Sequence, residues 1–158
     1  GVIRSSSMHP VPSPHQTMQA KGKEFCGKVL EVTNDAQRSM LRLDLAKAYP
    51  AKAGLAKLIR TAEYDRSKHT ITITDECELK TAGVYELPLL SYEEWKELSP
   101  GVWSAGQLKV EIKASGELEC SEDVPDLPWR TEKKARRLNC KFKNKSKTFR
   151  TTVTYSLL

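Results

Sequence analysis

The residues able to do chemistry are few and scattered. His9 and His15 lie six residues apart in a proline-rich opening segment, and His69 sits in a short polar turn. Two exposed histidines are potential metal ligands, but a six-residue spacing in irregular chain matches no metal-site pattern. Asp44 falls on the polar side of an alternating segment, and Asp75-Glu76 closes a threonine-rich one. No spacing sets two carboxylates face to face for general acid–base work. No serine, histidine and aspartate follow one another in a defensible triad order. Arg60 interrupts the apolar stretch Leu58-Ile59-Arg60-Thr61. A mid-strand arginine pairs with a carboxylate or stacks on an aromatic ring. Trp95 and Trp103 flank a Ser-Pro-Gly loop, as sugar-stacking rings or as core edges.

Four cysteines, Cys26, Cys77, Cys120 and Cys140, form no CxxC pair, which excludes the usual zinc-ribbon spacings. Cys77 and Cys140 sit in apolar alternations and are expected to be buried thiols. P-loop, dinucleotide-binding, GxSxG and HExxH motifs are all missing from the 158 residues. With 39% hydrophobic and 29% charged residues, the composition is that of a globular chain able to bury a core. No apolar run is long enough to span a bilayer as a helix, and no apolar leader follows Gly1-Val2-Ile3-Arg4.

The net charge of +6 is uneven. From Trp129 to Leu158 there are ten basic residues and one acidic residue, Glu132. Such a block suits an anionic partner, nucleic acid or acidic polysaccharide, or simply a wet strand face. The register of Phe142, Phe149 and Tyr155 puts these rings on the buried side. That weakens a nucleic-acid surface, which stacks bases on exposed aromatics.

The elements that must position these residues are strands. Leu41/Leu43/Leu45, Ile71/Ile73, Leu108/Val110/Ile112, Leu138/Cys140/Phe142 and Phe149/Thr151/Val153/Tyr155 each alternate with polar residues. Each reads as a strand with one face buried and one wet. Phe25–Val32, Leu55–Tyr64, Cys77–Leu79 and Val84–Leu90 are further strand-like runs. Residues 65–69 are the turn of a long hairpin, and Asn34-Asp35 and Ser115-Gly116 mark tight turns. Ser91-Tyr92-Glu93-Glu94 has the form of a capping box, which predicts a helical turn carrying Trp95 and Leu98. Pro50 and Gly54 forbid a long helix over 46–56. The expectation is an all-β antiparallel β-sandwich of about eight to ten strands, with at most one or two short helical turns. Residues 1–22, with Pro10, Pro12 and Pro14 alternating, form an extended entry segment lying over a surface. Residues 23–158 form the single sandwich domain.

Several of these segments together resemble one family. They are Leu43 to Leu55 with Tyr49-Pro50 and Ala53-Gly54, then Ile59-Arg60-Thr61, then Asp65-Arg66, then Ile71 to Asp75. His9-Pro10-Val11-Pro12, leading to Gln19-Ala20-Lys21-Gly22 and Phe25, fits the same family's entry. The chain is similar, over about residues 9–90, to the C-terminal β-sheet region of heparinase II/III-like polysaccharide lyases. These bacterial enzymes cleave uronate-containing acidic polysaccharides, glycosaminoglycans among them, by β-elimination. They join a helical toroid to a β domain. The resemblance implies a fragment of a larger lyase, periplasmic or secreted, that supports the helical domain and helps close the substrate cleft. Catalytic residues come largely from the toroid, so none is assigned here, and the substrate-binding residues are unassigned. Some members hold zinc in the β domain. His9 alone matches one of its ligands, so zinc belongs to the parent enzyme and no cofactor is expected for this fragment. The implied partners are an acidic polysaccharide and the toroid, without membrane or nucleic acid. The alternatives are a stand-alone carbohydrate-binding module and a basic nucleic-acid-binding β domain.

Overall fold

The computed structural model describes residues 6–125 and 134–158. Twelve strands occur among the described residues. They are β1 (Ser13–Pro14), β2 (Lys28–Asn34), β3 (Arg38–Asp44), β4 (Leu55–Asp65), β5 (Thr70–Gly83) and β6 (Tyr85–Ser91), followed by β7 (Trp95–Ser99), β8 (Val102–Ala105), β9 (Leu108–Ala114), β10 (Leu118–Asp123), β11 (Arg136–Phe142) and β12 (Ser146–Leu157). They build a large antiparallel sheet, ordered β2-β3-β4-β5-β12-β9-β8-β7, and a small one, ordered β1-β6-β11-β10. The all-β sandwich expected from the alternation is what forms. Its short helical pieces are single 3-10 turns at Ser6–Met8, Ala46–Ala48 and Ala51–Ala53.

The alternation sets the two faces. Across the large sheet one row of register partners runs Leu58, Cys77, Phe149, and the next runs Leu43, Arg60, Asp75, Thr151, Ala114. Leu58, Cys77 and Phe149 are buried, so these rows face inward. The small sheet answers with Tyr85, Leu87, Leu138, Cys140 and Phe142. Tyr85 stacks on Phe149 at 5.1 Å, and Phe142 meets both rings edge-on at 5.7 and 4.8 Å. Such clusters add to plain area burial because ring edges and faces carry opposite partial charge. The outer face is polar, with hydroxyl pairs Thr72–Thr154 and Thr74–Thr152 bridging β5 and β12 at 3.4 and 3.3 Å. As expected, Phe142 and Phe149 are buried and Tyr155 is mostly so.

The described residues hold twelve strands rather than about eight to ten and three 3-10 turns rather than one or two, and the helical turn expected after Ser91 does not form. The segment after Ser91 is not helical: Ser91 Oγ accepts the Glu93 amide at 2.9 Å, and the chain then enters β7. The capping-box pattern fits an ordinary serine turn equally well, and pairing of Trp95 with Ala105 wins over local propensity. Trp95 thereby becomes core, 5% exposed, with its indole N–H donating to the Arg136 carbonyl.

The large sheet outreaches the small one. β2 is exposed at every position. Register puts Val29 and Val32 on the inward side, beside Leu43 and Leu41, yet they are 58% and 65% exposed. Tyr64 and Ile71, partners on β4 and β5, are also exposed on that side. The outcome is an apolar wing that the small sheet leaves bare.

Candidate functional site

The residues quoted for the family resemblance converge where the entry segment crosses the inner face of β4 and β5. Arg60 is the centre. Its Nε and Nη2 donate to Asp75 Oδ1 and Oδ2, both at 2.7 Å, and its Nη1 donates to the Pro10 carbonyl at 2.7 Å. Arg60 and Asp75 are direct register partners, so the sheet itself presents the guanidinium fork to the carboxylate. The carboxylate partner expected for a mid-strand arginine is therefore there. Burial works against the charged guanidinium, but the hydrogen bonds and charge of Asp75 outweigh it and raise the Arg60 pKa above its ordinary value.

Tyr49 stands beside the pair, between the two 3-10 turns. Asp44 Oδ1 accepts the Ala46 amide at 2.9 Å and so turns the chain out of β3 into the first of them. Gly54, at φ +62°, ends the second; a residue with a Cβ is strained there. The Tyr49 hydroxyl donates to the Pro12 carbonyl at 2.6 Å. Burial holds that hydroxyl protonated well above the usual phenol range. It straps the entry segment to the two turns. Gln19 adds a side-chain hydrogen bond to Tyr49, and its amide donates to Ser6 Oγ at 2.9 Å.

The entry segment is thus bound along its length. Pro12 and Pro14 are fully buried, and β1 pairs with the edge of β6. An edge position is where proline does not cost a ladder hydrogen bond. His15 follows, with φ +47°, and its ring lies against Gly83 and Gly54. A Cβ on Gly83 would stand 1.9 Å from His15 Cε1. Only a residue without a side chain leaves room for the imidazole. Sequence reading missed this packing, because Gly54 and Gly83 lie far along the chain from His15.

His9, the one residue matched to a metal ligand, is exposed at the end of the first 3-10 turn. Among the described residues no three His, Cys, Asp or Glu side chains come together to hold a metal. The residues present do not fit a zinc centre, which needs three or four ligands. His69 lies exposed in the β4–β5 turn at φ +51°. Trp95 is buried while Trp103 is half-buried, so the two rings form no exposed platform. Trp103 instead lines a cavity of about 630 Å³ with Ile112, Leu118, Cys120, Glu97 and Lys143. Trp129 lies outside the described residues.

Among the described residues, five of the ten basic residues of the C-terminal block pair with acids from elsewhere in the fold. Arg136 pairs with Glu122, Arg137 with Asp123, Lys143 with Glu117 at 3.3 Å, Arg150 with Glu76 at 3.7 Å and Lys141 with Glu86 at 4.0 Å. Charge that looks one-sided along the chain is interleaved on the folded surface.

Neither family models nor curated proteins match this sequence. Solved structures do. A heparinase III crystal structure superposes with a TM-score of 0.71 at 16% identity, over 98% of this chain and 24% of that one. The chain folds like a quarter of heparinase III. A second heparinase III, with methylated lysines, gives 0.70 at 13% identity, over 96% of this chain and 24% of its own. The heparan sulfate lyase HepC of Pedobacter heparinus gives 0.54 at 11% identity, over 84% and 22%. The fold read from the heparinase resemblance is therefore the fold observed, and this chain spans about a quarter of the length of the structures it resembles.

Proposed function

We propose that this chain is the β-sandwich region of a heparinase II/III-like polysaccharide lyase. The carrying observation is the fold match over 98% of the chain to 24% of heparinase III. The parent enzyme acts on a uronate-containing acidic polysaccharide by β-elimination, in a bacterial periplasm or outside the cell. This region supports a helical catalytic domain and helps close its substrate cleft. Of its inner-face polar groups, Arg60 and Tyr49 hold the entry segment and Asp75 holds Arg60, and the proton-abstracting base is assigned to the helical domain. The bare apolar wing at Val29, Val32, Tyr64 and Ile71 is the contact surface for that helical domain, since contiguous exposed aliphatics mark an interface. A zinc ion held through His9 would draw its other ligands from elsewhere in the parent enzyme.

The test has two parts. The isolated chain, incubated with heparan sulfate and other uronate polysaccharides, should give no rise in unsaturated-uronate absorbance. The natural polypeptide carrying the helical domain should turn substrate over, and Val32→Asp in it should lower turnover while leaving the melting temperature of the isolated chain unchanged. Turnover by the isolated chain would overturn the proposal. So would a natural polypeptide with no helical domain.

A further inference from the structure

Cys120 on β10 and Cys140 on β11 are direct register partners. Both point to the inner side, in the row that continues to Leu87 on β6. Residues opposed across an antiparallel pair hold their Cβ atoms about 4.5–5.5 Å apart, close to the roughly 3.5–4.5 Å that a disulfide spans. A small approach of two edge-side strands joins them. The other two cysteines have no such partner in register: Cys77 sits between Leu58 and Phe149, and Cys26 is exposed ahead of β2.

We propose that Cys120 and Cys140 form a cross-strand disulfide when the chain meets a low-molecular-weight disulfide such as oxidised glutathione. The two thiols differ in access. Cys140 is 1% exposed, whereas Cys120 is half-buried on the wall of the cavity lined by Trp103 and Lys143. Cys120 is therefore the entry point. The neighbouring Cys140 thiol lowers the Cys120 pKa, and the Cys120 thiol, together with burial, raises that of Cys140. The Cys120 thiolate attacks one sulfur of the glutathione disulfide and forms a mixed disulfide, releasing one glutathione thiolate. The Cys140 thiol then loses its proton, and its sulfur attacks Cys120 Sγ and expels the second glutathione thiolate. Two protein thiols are oxidised by two electrons, and one glutathione disulfide is reduced to two thiols. The bond clamps the β10–β11 ribbon, closes the 120–140 loop and fixes the cavity wall.

The experiment incubates the reduced chain with oxidised glutathione, alkylates the remaining thiols under denaturing conditions and maps the peptides by mass spectrometry. The expected product links the Cys120 peptide to the Cys140 peptide, with Cys77 alkylated. The oxidised chain should melt about 5–10 °C above the reduced one, as closing a loop of this size restricts the unfolded chain. Cys140→Ala should trap glutathione on Cys120. Should that buried variant fail to fold, Cys120→Ala, at a half-buried edge position, should leave Cys140 unmodified. Full alkylation of both Cys120 and Cys140 at an oxidant level that modifies Cys26 would overturn the proposal. So would a bridge from either residue to Cys26 or Cys77, or an unchanged melting temperature.

Discussion

Replacing Arg60 with methionine isolates what the central ion pair does. The methionine keeps most of the apolar stem and removes the guanidinium. Asp75, with its side chain 1% exposed, then loses both donors to its carboxylate. Removing one partner of a buried pair costs about 3–5 kcal/mol, because the remaining charge is left uncompensated. The Pro10 carbonyl loses its donor as well, roughly another 1 kcal/mol. Against a total stability of about 5–15 kcal/mol, that is a large share. At roughly 2–4 °C per kcal/mol for a chain of this size, the melting temperature should fall by about 8–24 °C. Circular dichroism melts of wild type, Arg60→Met, Asp75→Leu and the double variant form a closed cycle. The double variant should melt closer to wild type than either single one, since two apolar residues leave no stranded charge. A fall of less than about 2 °C for Arg60→Met would refute the reasoning. So would a double variant whose loss equals the sum of the two singles.

Two further outcomes follow from local geometry. Asp65 Oδ1 accepts the Ser67 hydroxyl at 2.7 Å and the Ser67 and Lys68 amides at 3.0 and 3.1 Å; the Ser67 hydroxyl bond leads in lowering its pKa below the ordinary carboxylate value. Asp35 is lowered in the same way, chiefly by the Arg38 amide and then by that of Gln37. A carboxylate lowered in the folded state adds stability above its unfolded pKa, near pH 4, that is lost as pH falls through the folded value. Melts taken from neutral pH down to about pH 2 should therefore decline less steeply for Asp35→Asn/Asp65→Asn than for wild type, and parallel curves would count against this account. Gly83→Ala should push the His15 ring from its seat and destabilise the chain by roughly 1–3 kcal/mol, the usual range for overpacking. Adding His15→Ala should restore part of that stability in a thermal melt, and no recovery would show that the crowding lies elsewhere.

The strands were legible because one face of each is buried, and burial writes a period of two into the sequence. The 65–69 turn was legible because its polar residues interrupt two long runs, and in the fold Asp65 ties that turn together. Arg60 was legible as a misfit, a charge inside an apolar run that had to be answered. Its partner was not, because Asp75 is fifteen residues away and only the β4–β5 register brings it opposite. The Cys120–Cys140 pair was hidden for the same reason. The Ser91–Glu94 pattern misled because a serine turn and a helix cap use the same side-chain-to-amide hydrogen bond, and only tertiary pairing decides between them. The ion pairs of the basic tail were not legible, because net charge along a sequence takes no account of carboxylates elsewhere in the fold.

The same logic explains why β2 looked like an ordinary strand. Val29 and Val32 both fall on the inward side, across the register shift between Val29 and Glu31, yet the small sheet ends before it reaches them. The result is a bare apolar surface on this fold. The entry segment runs close to that surface: Pro10 is held by Arg60, whose register partner Leu43 stands next to Val29. Arg60 and Tyr49 fix the direction of the proline segment over residues 10–12. On the proposed reading, the ion pair sets where a helical domain stands, and the bare aliphatics give it apolar area to bury.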